Sequence, residues 1–480
     1  MRYLIPLLCL AVCGVLQAQP VSLGAQRELF CDHHLIESMT GTQLRLGVPR
    51  EREVVLHFDQ PWEGVHAGYV TVLRDGDAYR MYYRGLPKSG KDGSDAETTC
   101  MALSPDGIVW TKPQLGLHAV EGSTANNVVV AGQTPFSHNF APFLDTRPGV
   151  PAEERYKAIA GVSDTGLHGF VSPDGLRWSK LDGPLITAGA FDSQNVAFWS
   201  ESEQQYLCYF RTWSEPPWGG FRTVSRSTSP DFRTWREPVA MTFGDTPMEH
   251  LYTTQTQPYY RAPQIYVSLA ARFLPGRKVL TDAEAEAIGV AKGYAGDCSD
   301  NVLMTSRGGN TYDRSFMEAF LKPGIGPHHW TSRTNYPACG IVPTGEDEMS
   351  FYVQADYGQP THHLVRYSLR PDGFASVWAP YAGGEMLTKP FTFAGDALRL
   401  NFATSAAGSI KVELCDEAGT AIPGFSVDDC VELVGNRADH PVQWNSAKSL
   451  SLEAGKPVRL RFVMKDADLY ALRFTTAGTP

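Results

Sequence analysis

The chain has 480 residues, with 42 Lys+Arg against 52 Asp+Glu, a net charge of −10, and it is 42% hydrophobic and 20% charged. That length suits two or three domains, and the composition is that of a folded globular protein rather than a disordered one. The acidic balance, with no run of basic residues, argues against nucleic acid or an anionic membrane surface as the main partner.

At the start, Arg2 precedes an apolar run from Leu4 to Leu16 that ends in the small residue Ala18. This is the pattern of a secretory signal over residues 1–18, which predicts a secreted or periplasmic protein. A lipoprotein anchored at Cys13 is the alternative, although Val12 is bulkier than the residue usual before such a cysteine. No later stretch is long and apolar enough to span a bilayer. Beyond the leader, Cys31, Cys100, Cys208, Cys298, Cys339, Cys415 and Cys430 form an odd, scattered set with no Cys-x-x-Cys pair. Cys415 and Cys430 are close enough in sequence to bridge in an oxidising compartment.

From there the chain repeats. Ser104-Pro-Asp-Gly-Ile-Val-Trp110 recurs as Ser172-Pro-Asp-Gly-Leu-Arg-Trp178 and as Ser229-Pro-Asp-Phe-Arg-Thr-Trp235, with weaker copies at Ser306 and Arg370. Such turns use Pro to preset φ, Asp to cap locally and Gly to accept positive φ. A strand-like run precedes each turn, Tyr79–Arg84 and Tyr206–Arg211 being the most alike. Five strand–strand–turn units match the one-sheet-per-repeat logic of a β-propeller. In the fourth unit Thr281-Asp-Ala-Glu284 reads as a capping box opening a short helix. Beyond Pro380 the alternation of Leu398/Leu400/Phe402, Ile410/Val412/Leu414, Val458/Leu460/Phe462 and Tyr470/Leu472/Phe474 predicts antiparallel strands. The fold class expected is therefore all-β: a five-bladed β-propeller over residues 19–380 and a C-terminal β-sandwich over 381–480.

With its five repeats, its Ser-Pro-Asp-Gly-x-x-Trp turns and acidic residues at blade starts, the segment from about residue 25 to 380 resembles the five-bladed propeller glycoside hydrolases of families 32, 43, 62 and 68. A trailing sandwich is usual in family 32. The resemblance implies three acids meeting in a central funnel: Glu63 as base or nucleophile, Asp192 as supporting acid and Glu249 as proton donor. Independently, glycosidic cleavage needs one carboxyl to protonate the leaving oxygen and another to attack or activate water. Polar residues at the same repeat phase complete the expected substrate site: His66, His138, Asn139, Gln194, Asn195, His250, Tyr252, Arg333 and Asn335, with Trp218 as an exposed aromatic platform. Arg84 and Arg211 fit either an anionic sugar or a structural pairing between blades.

The expected function is a secreted glycoside hydrolase with a carbohydrate substrate. The doublets His33-His34, His328-His329 and His362-His363 lack a ligand periodicity, so no catalytic metal and no cofactor are expected. Two other functions stay open. A non-catalytic carbohydrate-binding propeller would keep the aromatics without paired acids. A sialidase-like hydrolase would need three arginines and a tyrosine nucleophile in the funnel.

Overall fold

The computed structural model describes residues 19–476, so the expected signal and the lipoprotein alternative at Cys13 lie outside the described residues. Five antiparallel sheets form the blades. The first is Gly68–Asp75, Ala78–Gly85, Thr98–Ser104 and Val128–Val130. The second is Ala141–Leu144, Tyr156–Val162, Gly166–Ser172 and Ser179–Lys180. Val196–Ser200, Gln205–Glu215, Gly219–Ser229 and Val239–Ala240 make the third, whose two central strands rise into a long hairpin. In the fourth, Leu251–Thr253 and Gln257–Tyr259 share the edge of Ala262–Leu274, followed by Cys298–Ser306. The fifth sets Tyr336–Pro337 and Val342–Gly345 on Glu348–Ala355, then His363–Leu369. Its outermost strand, Arg50–His57, comes from the start of the chain and runs antiparallel to His363–Leu369. This pairing closes the ring by joining the start of the propeller to its last blade.

The repeated turns show why the blades recur. In the first, Asp106 Oδ1 accepts from the backbone N–H groups of Ile108 and Val109, each at 2.8 Å, while Ser104 Oγ accepts from Gly107 N at 2.8 Å. Asp174 and Ser172 repeat the pattern. Gly107 and Gly175 take φ of 75° and 72°, and Phe232 occupies that position in the third copy at φ 67°. The tryptophan that follows packs between sheets: Trp178 meets Tyr82 of the first blade edge-on at 6.3 Å, and Trp110 meets Tyr352 of the fifth blade at 5.8 Å. Each turn is thus a joint between neighbouring blades as well as a loop. The expected capping box is present, with Thr281 and Glu284 bonded reciprocally at the start of a short helix, Asp282–Ala287.

Ten strands form the remaining sheet, wrapped around a core that includes Leu398, Leu400, Phe402, Phe462, Leu472 and Phe474. Its two long strands, Ala397–Asp416 and Val458–Thr475, shift register between Thr404 and Ser409. The expected boundary at residue 380 needs correction. Val21–Gly24, Glu28–Leu29, Ile36–Thr40 and Gln43–Leu46, together with Ala375–Ala379, pair in this sheet and not in the propeller, whose blade strands run from Arg50 to Leu369. The physical reason is that Leu23, Phe30, Leu35 and Ile36 bury their side chains in the sandwich core. Cys415 and Cys430 are both free: Cys415 Sγ faces Glu413, whereas Cys430 Sγ accepts from Val412 N.

Candidate active site

Residues leading into several innermost strands adopt left-handed backbone: Tyr69 at φ 49°, Asn139 at 51°, Phe191 at 35°, Arg333 at 60° and Asn335 at 70°. Such conformations cost energy in non-glycine residues and gather where a site over-determines them. Here they turn side chains into one mouth of the propeller. Tyr69, Tyr252 and Tyr336 pack together beneath it, the rings of Tyr252 and Tyr336 lying 5.2 Å apart.

Arginines surround these rings. The guanidinium of Arg211 lies 4.4 Å from the Tyr252 centroid, and those of Arg222 and Arg333 each lie 5.5 Å from it. Arg84 sits 4.5 Å over Tyr69 and donates to Asn139 Oδ1 and the His66 carbonyl, both at 2.9 Å, and to Tyr357 Oη at 3.1 Å. Arg84 lies near the end of the second strand of the first blade, and Arg211 within the longer second strand of the third, which explains their shared repeat phase. The open choice for Arg84 thus resolves largely toward the blade-to-blade pairing, while Arg211 faces the mouth.

Asp192 ion-pairs through Oδ1 with Arg211. Its side chain is 27% exposed, and among the described residues no protein group bonds its Oδ2. Tyr252 is buried, at 5% exposure. Burial pushes its phenol up, but Arg333 and Arg211 outweigh burial and hold the pKa below the usual tyrosine value. Its neighbours Tyr69 and Tyr336 go the other way, raised by burial. Burial, with Arg84 and Arg333 nearby, lowers His66 to about 4, so the ring is neutral at physiological pH.

The remaining expected site residues divide. Glu63 has no exposed surface: Oε1 accepts from Tyr83 Oη at 2.6 Å, and Oε2 accepts from Lys112 Nζ at 2.7 Å and Gln60 N at 3.0 Å. An acid sealed in this way holds the first blade to the closing strand and does not meet a sugar. Glu249 gives one oxygen to Arg272 at 2.8 Å and the other to Arg314 at 2.6 Å, with Arg272 also bridging to Asp300. Both its oxygens are taken by guanidiniums, which leaves neither free to hold and pass a proton. Of the three acids expected to act together, Glu63 and Glu249 thus have private partners, and Asp192 alone keeps an oxygen that no protein group bonds among the described residues.

His138 pairs with Glu97 at 2.7 Å, and Glu97 also accepts from Asn139 N at 2.9 Å, which braces the Arg84 contact from below. Gln194 donates to Thr71 Oγ1 and accepts from Gln255 Nε2, plugging the central channel under the mouth. Asn195 is bonded to the carbonyls of Phe191 and Ser193, and Asn335 to those of Ser299 and His329, so both act as local braces. His250 lies beside Phe221, and Trp218, 53% exposed, faces Trp213 on the long hairpin. Sequence reasoning missed Tyr69, Arg222, Tyr294, Tyr336 and Tyr357. Tyr294 comes from the fourth-blade insertion and bonds Arg333 at 3.3 Å, so the insertion itself was the available signal.

No family model and no curated protein matches the chain. Solved structures align with it at low identity and with TM-scores below 0.5. One described as a glycoside hydrolase is 12% identical, with a TM-score of 0.45 over 67% of this chain and 92% of its own. An N-acetylgalactosamine deacetylase from F. plautii, in complex with blood group B trisaccharide, is 15% identical, with a TM-score of 0.43 over 70% of this chain and 96% of its own. A glycosyl hydrolase from Bacteroides ovatus is 12% identical, with a TM-score of 0.42 over 68% and 94%. At these values the likeness carries no argument, and function has to be argued from the side chains.

Proposed function

We propose that this protein is a glycoside hydrolase whose nucleophile is the phenolate of Tyr252 and whose proton-exchanging group is Asp192. The observation that carries the proposal is a buried phenol framed by Arg211 and Arg333, beside a carboxylate with one unpartnered oxygen. Two guanidiniums favour the ionised phenol, which makes it a nucleophile without a neighbouring base. In the first half-reaction the Tyr252 oxygen bonds to the anomeric carbon, the glycosidic C–O bond breaks, and protonated Asp192 gives its proton to the departing oxygen. In the second, Asp192 takes a proton from water, the water oxygen bonds to the anomeric carbon, and Tyr252 leaves as phenolate. Configuration is retained. Arg211 serves both groups, lying against the Tyr252 ring and against Asp192.

This reading keeps the glycosidic chemistry expected from the sequence and moves it from a carboxylate pair to a tyrosine. The test is to trap the intermediate with an activated fluoroglycoside and map the labelled peptide. A glycosyl adduct on Tyr252, lost in Tyr252→Phe, is expected. An adduct on a carboxylate, or full activity in Tyr252→Phe, overturns the assignment. Sugar binding without turnover of any glycoside favours the non-catalytic module instead.

A further inference from the structure

Arg222 and Arg333 make no ion pair with any carboxylate among the described residues. Arg222 lies between the rings of Trp213 at 4.6 Å and Phe273 at 4.9 Å, and the only hydrogen bond the Arg333 side chain makes among the described residues is the one to Tyr294. Several donors around the mouth are buried with no partner: Arg211 Nε and Nη1, Arg222 Nε and Arg84 Nε. Burying a charge or a donor without compensation is expensive, and native structures avoid it except where a ligand completes the set. The cluster also runs against the sign of the whole molecule. Four guanidiniums, those of Arg84, Arg211, Arg222 and Arg333, face Asp192 and Glu97 in a chain of net charge −10, and Glu97 is already paired with His138. Asp356, in the fifth blade beside Tyr357, accepts through Oδ2 from Thr361 with His328 and His363 3.8 Å away, and makes no ion pair with these arginines. Burial, followed by the charge of Arg211, lowers the pKa of Arg222, a like-charge conflict that a bound anion would relieve.

We propose that the funnel takes an acidic sugar, with a singly charged oxyanion on the glycosyl unit seated among Arg211, Arg222 and Arg333. Guanidinium forks match such planar or trigonal oxyanions better than they match hydroxyls. All three arginines lie around Tyr252, so the anionic group sits next to the carbon under attack and not on a remote residue of the chain. A carboxylate and a sulfate ester share this chemistry. The proposal rests on the hydrolase reading, and its test separates the two.

The experiment measures kcat/KM of the full chain on nitrophenyl uronides, a nitrophenyl sialoside and sulfated nitrophenyl hexosides, against the matching neutral nitrophenyl hexosides. It uses wild type, Arg333→Gln, Arg333→Lys and Arg222→Gln, with circular dichroism and melting curves checking that each variant is folded. Wild type is expected to prefer an acidic substrate by on the order of 10²-fold or more, as sites built around buried polar groups do. The carboxylate and sulfate arms then name the oxyanion. Arg222→Gln should lower kcat/KM on the acidic substrate far more than on the neutral one; Arg333→Gln, which also removes a cation that favours the ionised Tyr252, should lower both and the acidic substrate further, and Arg333→Lys should restore part of each. Turnover of neutral hexosides with no acidic preference overturns the acidic-sugar inference and leaves the hydrolase standing. Absence of turnover on every substrate, with glucuronate or sialate binding to wild type but not to Arg333→Gln by calorimetry, sinks the hydrolase and keeps the acidic sugar. Wild-type calorimetry with the free acids against neutral hexoses decides the matter even if the arginine variants fail to fold.

Discussion

In the C-terminal sheet Arg399 and Arg473 close on Asp439, and Arg461 closes on Glu385 and Glu413, whereas at the propeller mouth Arg222 and Arg333 close on no carboxylate among the described residues. The two regions use one residue type for opposite ends. A guanidinium with its carboxylate already in place ties strands together and has nothing left to offer a ligand. One held between aromatic rings, with donors unpartnered, is a cost the fold carries for the sake of what binds. The same division runs through the acids. Glu63 and Glu249 are closed, and Asp192 is half open.

The sharpest way to break this comparison is at Tyr252. Tyr252→Phe keeps the ring and its packing and removes only the oxygen, so the melting temperature should stay within a few degrees. Activity on any substrate found should fall on the order of 10³-fold or more, as when other nucleophiles are deleted. A variant that keeps its rate would return the phenol to the structural side. Asp192→Asn comes next, with a loss of roughly 10²–10⁴-fold in kcat, typical of a missing proton donor. That loss should shrink on an aryl glycoside with an acidic phenol, which needs little protonation to leave. Equal losses on poor and good leaving groups would show that Asp192 merely holds Arg211.

Glu63 tests the closed half. Glu63→Ala removes the acceptor of the Tyr83 hydroxyl and one of the two carboxylates on Lys112, which keeps Asp59, and losing a hydrogen bond to a buried charged group costs about 1.5–3 kcal/mol. Chemical denaturation should show that loss, while kcat per folded molecule stays unchanged. A large fall in kcat at normal stability would restore the carboxylate-pair mechanism expected from the sequence.

What the sequence made legible follows the range of the interactions. The Ser-Pro-Asp-Gly turns, with Asp106 and Asp174 capping their own loops, are local chemistry and could be read directly, and from them came the blade count. The capping box at Thr281 is local too. Closure of the ring by Arg50–His57, and the passage of residues 21–46 into the other sheet, depend on pairings across more than three hundred residues that alternation cannot specify. The site failed in the same way. An acid at the start of a blade looks identical whether its partner is a sugar or Lys112, Arg272 or Arg314, and only the folded chain supplies that partner. Tyr252 stood among the expected substrate contacts, but as one of 20 tyrosines with no motif around it, nothing marked it as the reacting group.

The gentlest test concerns Asp439, the centre of the closed arginine set in the sandwich. Burial raises its pKa, but bonds from Arg473 and Arg399 outweigh burial and bring it to about 2. Its unfolded value is about 3.9, so the native state holds this proton less tightly than the unfolded chain does. The carboxylate's contribution, about 2.6 kcal/mol, is therefore fully present above pH ~4 and is lost as pH falls through the folded value near 2. Asp439→Asn should lower stability by that order at neutral pH and flatten the acid limb, with the two proteins converging near pH 2. Hydrogen exchange on Ala397–Asp416 and Val458–Thr475 would place the loss in the sandwich. The funnel shares no partner with Asp439, so the ratio of kcat/KM on acidic and neutral glycosides should not move. If that ratio did change, the two sets of arginines would be coupled, and the separation of a closed region from an open one would fail.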